Sequence, residues 1–133
     1  MKITRITNGR IIDPANNRDE VADLWLADGK ITAPQPGSET ETLDARGLVV
    51  SPGLIDIHVH LREPGQSHKE TIATGTRAAA AGGFTSIVAM PNTNPSADSA
   101  ATITWIKEKA TREACVNVFC TGAITKGLRG EEL

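Results

Sequence analysis

The sequence predicts an α/β chain in which a small β-sandwich-type subdomain over residues 1–51 precedes a βαβαβ run over residues 52–133. Three observations predict it. Short apolar runs punctuated by Asn8-Gly9, Asp28-Gly29 and Ala45-Arg46-Gly47 fill the first third of the chain. Beyond Pro52, strand-like apolar runs alternate with alanine-rich or amphipathic stretches of helical period. The connections between them are short, as parallel crossover units require.

In the first third, Ile3 to Ile12 reads as a strand pair or bent ribbon around Asn8-Gly9, the strongest two-residue hairpin signal. Leu24 to Ala27 meets Lys30-Ile31 across Asp28-Gly29 in the same way. Pro34 to Ser38 breaks the chain, and Thr42 to Asp44 and Leu48 to Val50 then flank a turn at Gly47. Strands this short hardly bury two faces alone, so the sandwich is expected to be completed by other segments.

From Pro52 onward the period changes. Leu54 to Leu61 is a strand, ended by a turn at Glu63-Pro64-Gly65. Ser67 and Glu70 have the spacing of a capping box, which starts a helix running through Ala78 to Ala81 and stopping at Gly82-Gly83. Phe84 to Met90 is nearly continuous in apolar residues, as parallel strands covered on both faces are. A second helix spans about Ser99 to Ala114, with Ile103, Ile106 and Ala110 at helical intervals. Val116 to Cys120 is the third strand, and a new helix is expected to begin at Glu131.

The chemistry concentrates at one place. With a period of two, Leu54, Asp56, His58, His60 and Arg62 share one face of the first of these strands, and Ile55, Ile57, Val59 and Leu61 share the other. Histidines at i and i+2 set their rings side by side, and neutral imidazole is a good ligand for zinc and similar ions. A bare His-x-His more often marks two half-buried strand histidines with hydrogen-bonded rings. The context reverses that weighting: Asp56 could orient a ring, Arg62 follows on the same face, and a turn closes the strand. In parallel α/β folds ligands gather at the carboxyl ends of strands, where both this group and Asn92 fall.

Composition narrows the alternatives. With 39% hydrophobic and 23% charged residues over 133 positions, the chain is that of a soluble domain with a real core. A net charge of −2 and 3% aromatic content offer neither a basic stripe nor stacking platforms, so nucleic-acid binding is not expected. No apolar run reaches the roughly 18–20 residues of a membrane span, and no signal-peptide core follows Met1, so a cytoplasmic location is expected. Cys115 and Cys120, five apart, would face opposite sides of one strand and read as small buried hydrophobes rather than a disulfide or a metal pair.

Several linked stretches carry a family resemblance: Pro52 to Gly65, Lys69-Glu70-Thr71, Gly75 to Thr85, Met90 to Pro95 and Gly122 to Gly127. Together they closely resemble the dihydroorotases of the amidohydrolase superfamily, in the bacterial kind related to the dihydroorotase domain of multifunctional pyrimidine enzymes. The resemblance spans essentially the whole chain. It implies the N-terminal portion of a metal-dependent (β/α)8 barrel with a zinc centre, catalysing reversible closure of N-carbamoyl-L-aspartate to dihydroorotate in pyrimidine synthesis.

Position by position, the resemblance makes His58 and His60 the first-strand zinc ligands, with His60, Arg62 and Asn92 contacting substrate. Arg62 and Asn92 would hold the substrate carboxylate, a role that suits a planar guanidinium fork backed by a neutral amide. The plainer readings are a strand-end ion pair with Glu63 for Arg62 and a turn-former before Asn94-Pro95 for Asn92. His68 reads as a solvated helix-start residue, and the resemblance gives Lys126 no metal-bridging role.

The catalytic carboxylate matches no position here, and a full barrel needs about 250 residues. The chain is therefore expected to be an N-terminal piece, incompetent alone, whose open sheet edge pairs with copies of itself or with a complementing chain. Two rival readings stand. The chain could belong to another cyclic amidohydrolase, hydantoinase-like or allantoinase-like, whose motifs generally lack the arginine at position 62. It could also be a non-catalytic partner of aspartate transcarbamoylase, against which the intact His58 and His60 count.

Overall fold

The computed structural model describes residues 3–34 and 40–133 and divides into two units, residues 1–52 and 53–133. The break expected at Pro34 to Ser38 falls, from Gln35 onward, outside the described residues.

The first unit is organised on one long strand, β1 (Ile3–Asp13). It pairs antiparallel with β2 (Arg18–Ala27), which in turn pairs with β3 (Lys30–Thr32). On its other edge β1 takes two parallel partners in succession, β4 (Thr40–Asp44) along Ile3 to Thr7 and β5 (Val49–Val50) along Arg10 and Ile11. Asn8-Gly9 therefore does not reverse the chain. Asn8 enters the left-handed region at φ 62°, the register slips between Ile6 and Gly9, and the strand continues. A type I′ turn needs two successive residues with positive φ; a single one makes a bulge. Glycine is required next, because a Cβ on Gly9 would lie 2.6 Å from Val50 Cγ2.

The reversal comes instead at a 3-10 turn, Pro14–Asn16, with Pro14 at its first position and Asn17 at φ 53° behind it. The Asp28-Gly29 hairpin forms as expected, with both residues at positive φ and Ala27 opposite Lys30. The described strands of this unit make one five-stranded sheet, so the second layer that a sandwich needs does not come from them.

The second unit is a three-stranded parallel sheet in the order β6 (Leu54–Val59), β7 (Phe84–Ala89), β8 (Asn117–Cys120), linked by α1 (Ile72–Ala81) and α2 (Ala100–Glu113). Its core joins Ile87 and Ala89 of β7 to Leu61, Ile72 of α1, Ala97, and Ile106 and Ala110 of α2. The opposite face of the sheet is open, with Ile55 64%, Ile57 74% and Phe119 58% exposed.

Helix α1 begins four residues after the expected capping box. Thr71 is the N-cap, accepting the Thr74 amide at 3.0 Å while the Thr74 hydroxyl accepts the Thr71 amide at 2.9 Å. Ser67 is drawn elsewhere, donating to Glu63 at 2.9 Å. Helix α2 starts from Ser99 as its N-cap, as the spacing predicts. No helix forms at Glu131; a short 3-10 turn at Lys126–Leu128 precedes it. Cys115 is exposed and Cys120 half-buried, correcting the expectation that both are buried; burial pushes the Cys120 thiol up, against a smaller opposing pull from Lys107. No helix among the described residues is long and apolar enough to cross a membrane.

Candidate active site

Regular alternation fails on β6 where the chemistry sits. Asp56 is in register with Ile87 and Val59 with Ala89, so three steps along β6 match two along β7. Parallel register neighbours share a face, and Ile87 and Ala89 face the helices. Asp56 and Val59 therefore lie on the helix side, while Ile57 and His58 both fall on the open side, followed there by His60. The aspartate is not beside the rings. Its Oδ1 accepts the main-chain N–H of His58 at 3.0 Å, satisfying the amide that the bulge takes out of the ladder. The face read as Leu54, Asp56, His58, His60 and Arg62 is thus divided, with Ile55 and Ile57 joining the histidines and Asp56 joining Val59 and Leu61.

The two imidazoles meet edge to face, their centroids 5.2 Å apart and their planes at 66°. The ladder continues past the end of β7 through Met90 N–H, which donates to Val59 C=O at 2.8 Å. That places Asn92 against His60: Asn92 Oδ1 lies 2.9 Å from His60 Nδ1. The structure so brings together His60 and Asn92, from neighbouring strands, and His58 and His60, from one.

Arg62 follows one residue beyond buried Leu61 and is itself half-buried. It makes no ion pair with Glu63. The Glu63 carboxylate, 5% exposed, is taken by Ser67 Oγ at 2.9 Å, by the Ile72 main-chain N–H at 2.9 Å and by Lys109 Nζ at 3.6 Å. Among the described residues the Arg62 guanidinium has no carboxylate partner. The segment carrying it is tied to the Asn92 loop, since Asn94 N–H donates to Pro64 C=O at 3.0 Å and a Cβ on Gly65 would stand 1.9 Å from Asn94 O.

Other candidate groups lie apart from this constellation. His68 is exposed, and Lys126 pairs with Glu132 in the loop that follows β8. Glu63 was legible only as part of a strand-ending turn; its burial among α1, α2 and the loop has no signature in a single sequence.

The donor set suits part of a metal site. Two imidazoles on one face fit two ligands of a histidine-rich centre, and the Asn92 contact leaves His60 Nε2 clear of that hydrogen bond. The described residues contain no group of three or more His, Cys, Asp or Glu side chains placed to hold an ion.

This parallel α/β unit is that of a cyclic amide hydrolase. The structural comparison agrees: L-hydantoinase (dihydropyrimidinase) from Arthrobacter aurescens superposes with a TM-score of 0.79 at 27% identity, over 90% of this chain and 27% of that one. D-hydantoinase (dihydropyrimidinase) from Thermus sp. gives 0.69 at 32% identity, over 92% and 28%. The family itself is narrower. The family model described as Dihydro-orotase-like matches residues 47–133, and the chain belongs to that family. A dihydroorotase of Solibacter usitatus is 58% identical over 131 residues, and one of Geotalea daltonii 53% over 132 residues, each covering 96% of this chain. The chain spans 30% and 31% of the length of these two relatives.

Proposed function

We propose that the chain carries the N-terminal share of a dihydroorotase site, serving the reversible cyclisation of N-carbamoyl-L-aspartate to dihydroorotate in pyrimidine synthesis in the cytoplasm. On this reading His58 and His60 hold zinc, and Arg62 with Asn92 grips the substrate carboxylate. Bound zinc supplies Lewis acidity and a water of lowered pKa. The chain's own residues supply the grip. Arg62 offers a two-pronged cationic donor, and Asn92 a neutral amide beside His60.

The observation that carries the proposal is the half-buried Arg62, which no acid among the described residues neutralises. Leaving a partly desolvated guanidinium unpaired is costly, and a carboxylate ligand offsets that cost. The two imidazoles that the described residues bring together fall short of the three protein ligands of an ordinary catalytic zinc site, so on this reading the chain by itself is catalytically incompetent.

The solved relatives named hydantoinases favour one second reading, a neutral cyclic amide as substrate. Titration of the zinc-loaded chain, followed by NMR, separates the two. N-carbamoyl-L-aspartate shifts the Arg62 and Asn92 resonances, unsubstituted hydantoin leaves them still, and Arg62→Ala abolishes the response. Equal shifts with hydantoin favour the second reading, and no response to the acid overturns the first. Measurable cyclisation by the chain with zinc would overturn the claim of incompetence.

A further inference from the structure

The Asn92 amide has two ends, and only one is engaged. Its Oδ1 lies 2.9 Å from His60 Nδ1, while its Nδ2 makes no hydrogen bond among the described residues. An amide oxygen carries no hydrogen, so that contact is a hydrogen bond only when the proton sits on Nδ1. A neutral imidazole carries one such proton, which leaves Nε2 as the bare lone-pair nitrogen.

We infer that Asn92 is a positioning residue for His60. Its carbonyl oxygen locks the ring as the Nδ1–H tautomer and fixes Nε2 as the donor atom, which commits the Nδ2 end of the same amide to an acceptor on the ligand. One side chain thus ties the state of the histidine to recognition of the carboxylate. The clause about the carboxylate rests on the function proposed above; the tautomer lock does not.

The main chain on both sides of Asn92 is held in place. Met90 N–H donates to Val59 C=O at 2.8 Å just before Asn92, Ala97 N–H donates to Pro91 C=O at 2.9 Å, and Asn94 N–H donates to Pro64 C=O at 3.0 Å. On the other flank the His60 ring is confined by His58, 5.2 Å away between centroids. An acceptor that cannot swing away specifies a tautomer; one on a free loop would not.

The experiment is a long-range 1H–15N correlation spectrum of the metal-free chain labelled with 15N-histidine, in which protonated and bare ring nitrogens resonate far apart. His60 is expected to show a protonated Nδ1 and a bare Nε2. Asn92→Ala should move it to Nε2–H or to a mixture, and Asn92→Asp, which keeps an acceptor oxygen, should retain Nδ1–H. Zinc affinity, read by competition with a chromophoric chelator, should fall about 10- to 100-fold in Asn92→Ala and recover in Asn92→Asp. A wild-type His60 protonated at Nε2 overturns the inference, since the amide would then face the ring with its nitrogen. So does an unchanged tautomer in Asn92→Ala when the backbone amide spectrum shows the fold intact. If Asn92→Ala does not fold, the wild-type spectrum and Asn92→Asp decide alone. A wild-type chain with Nδ1–H that binds no zinc supports the lock and removes the zinc reading instead.

Discussion

The Glu63 carboxylate accepts the main-chain N–H of Ile72 at 2.9 Å, so the acid that follows Arg62 in sequence closes the first turn of α1. The same carboxylate takes Ser67 and reaches Lys109 of α2, and it is buried. A negative charge at a helix N-terminus is favourable, and this one also joins two helices to the strand end that carries the candidate site.

Removing it should therefore be expensive. Glu63→Ala leaves the Ile72 amide and the Ser67 hydroxyl without their acceptor and is expected to cost about 3 kcal/mol. Glu63→Gln keeps one acceptor oxygen and should cost about half as much. Urea denaturation checks this: the midpoint falls in that order with an unchanged slope.

Gly65 sits at φ 90°, and a Cβ there would stand 1.9 Å from Asn94 O. Gly65→Ala combines left-handed strain with a backbone clash that no rotamer relieves, and should cost about 2 kcal/mol or more. Because the clash separates the Arg62 segment from the Asn92 loop, the His60 and Asn92 resonances should shift along with the loss of stability. A variant as stable as wild type with an unmoved His60 would show that the contact does not position the site.

Ile87 is 1% exposed and lies in the core cluster that also holds Ile72 of α1 and Ile106 and Ala110 of α2. Ile87→Ala is expected to cost about 3–4 kcal/mol through lost transfer energy and a residual cavity. Thermal unfolding of the second unit reports it.

Asp98 gives a pH dependence. The Gly127 main-chain N–H, donating at 2.7 Å, and then the Ser96 hydroxyl at 2.8 Å hold its carboxyl below the ordinary aspartate range. A lowered folded value contributes stability that is complete above the unfolded value of about 3.9 and is lost as pH falls through the lower folded one. The Gly127 amide resonance should stay constant above about pH 5 and move only in the acid range. In Asp98→Asn that acid movement should vanish.

How much was legible depends on whether a signal was local. The Asp28-Gly29 hairpin, Ser99 as a helix cap and the parallel strand from Phe84 were readable, because each is specified by residues within a few positions of it. Asn8-Gly9 carried the same turn signal as Asp28-Gly29 and became a bulge, since two partner strands take up β1 on either side of it. Ser67 had the spacing of a cap, yet Glu63 captured it and Thr71 capped the helix instead. Asp56 appeared to share the histidines' face until the extra residue in β6 turned it to the helix side.

The sequence by itself determined the alternation of parallel strands and helices after Pro52 and the set of residues from which a site could be built, because hydrophobic period and turn chemistry act over short range. The tertiary structure decided which of them meet. His60 finds Asn92 across thirty-two positions, and among the described residues Arg62 has no carboxylate partner while Glu63 is taken by Ser67, the Ile72 amide and Lys109. Those outcomes follow from strand register and burial, which are set by partners distant along the chain.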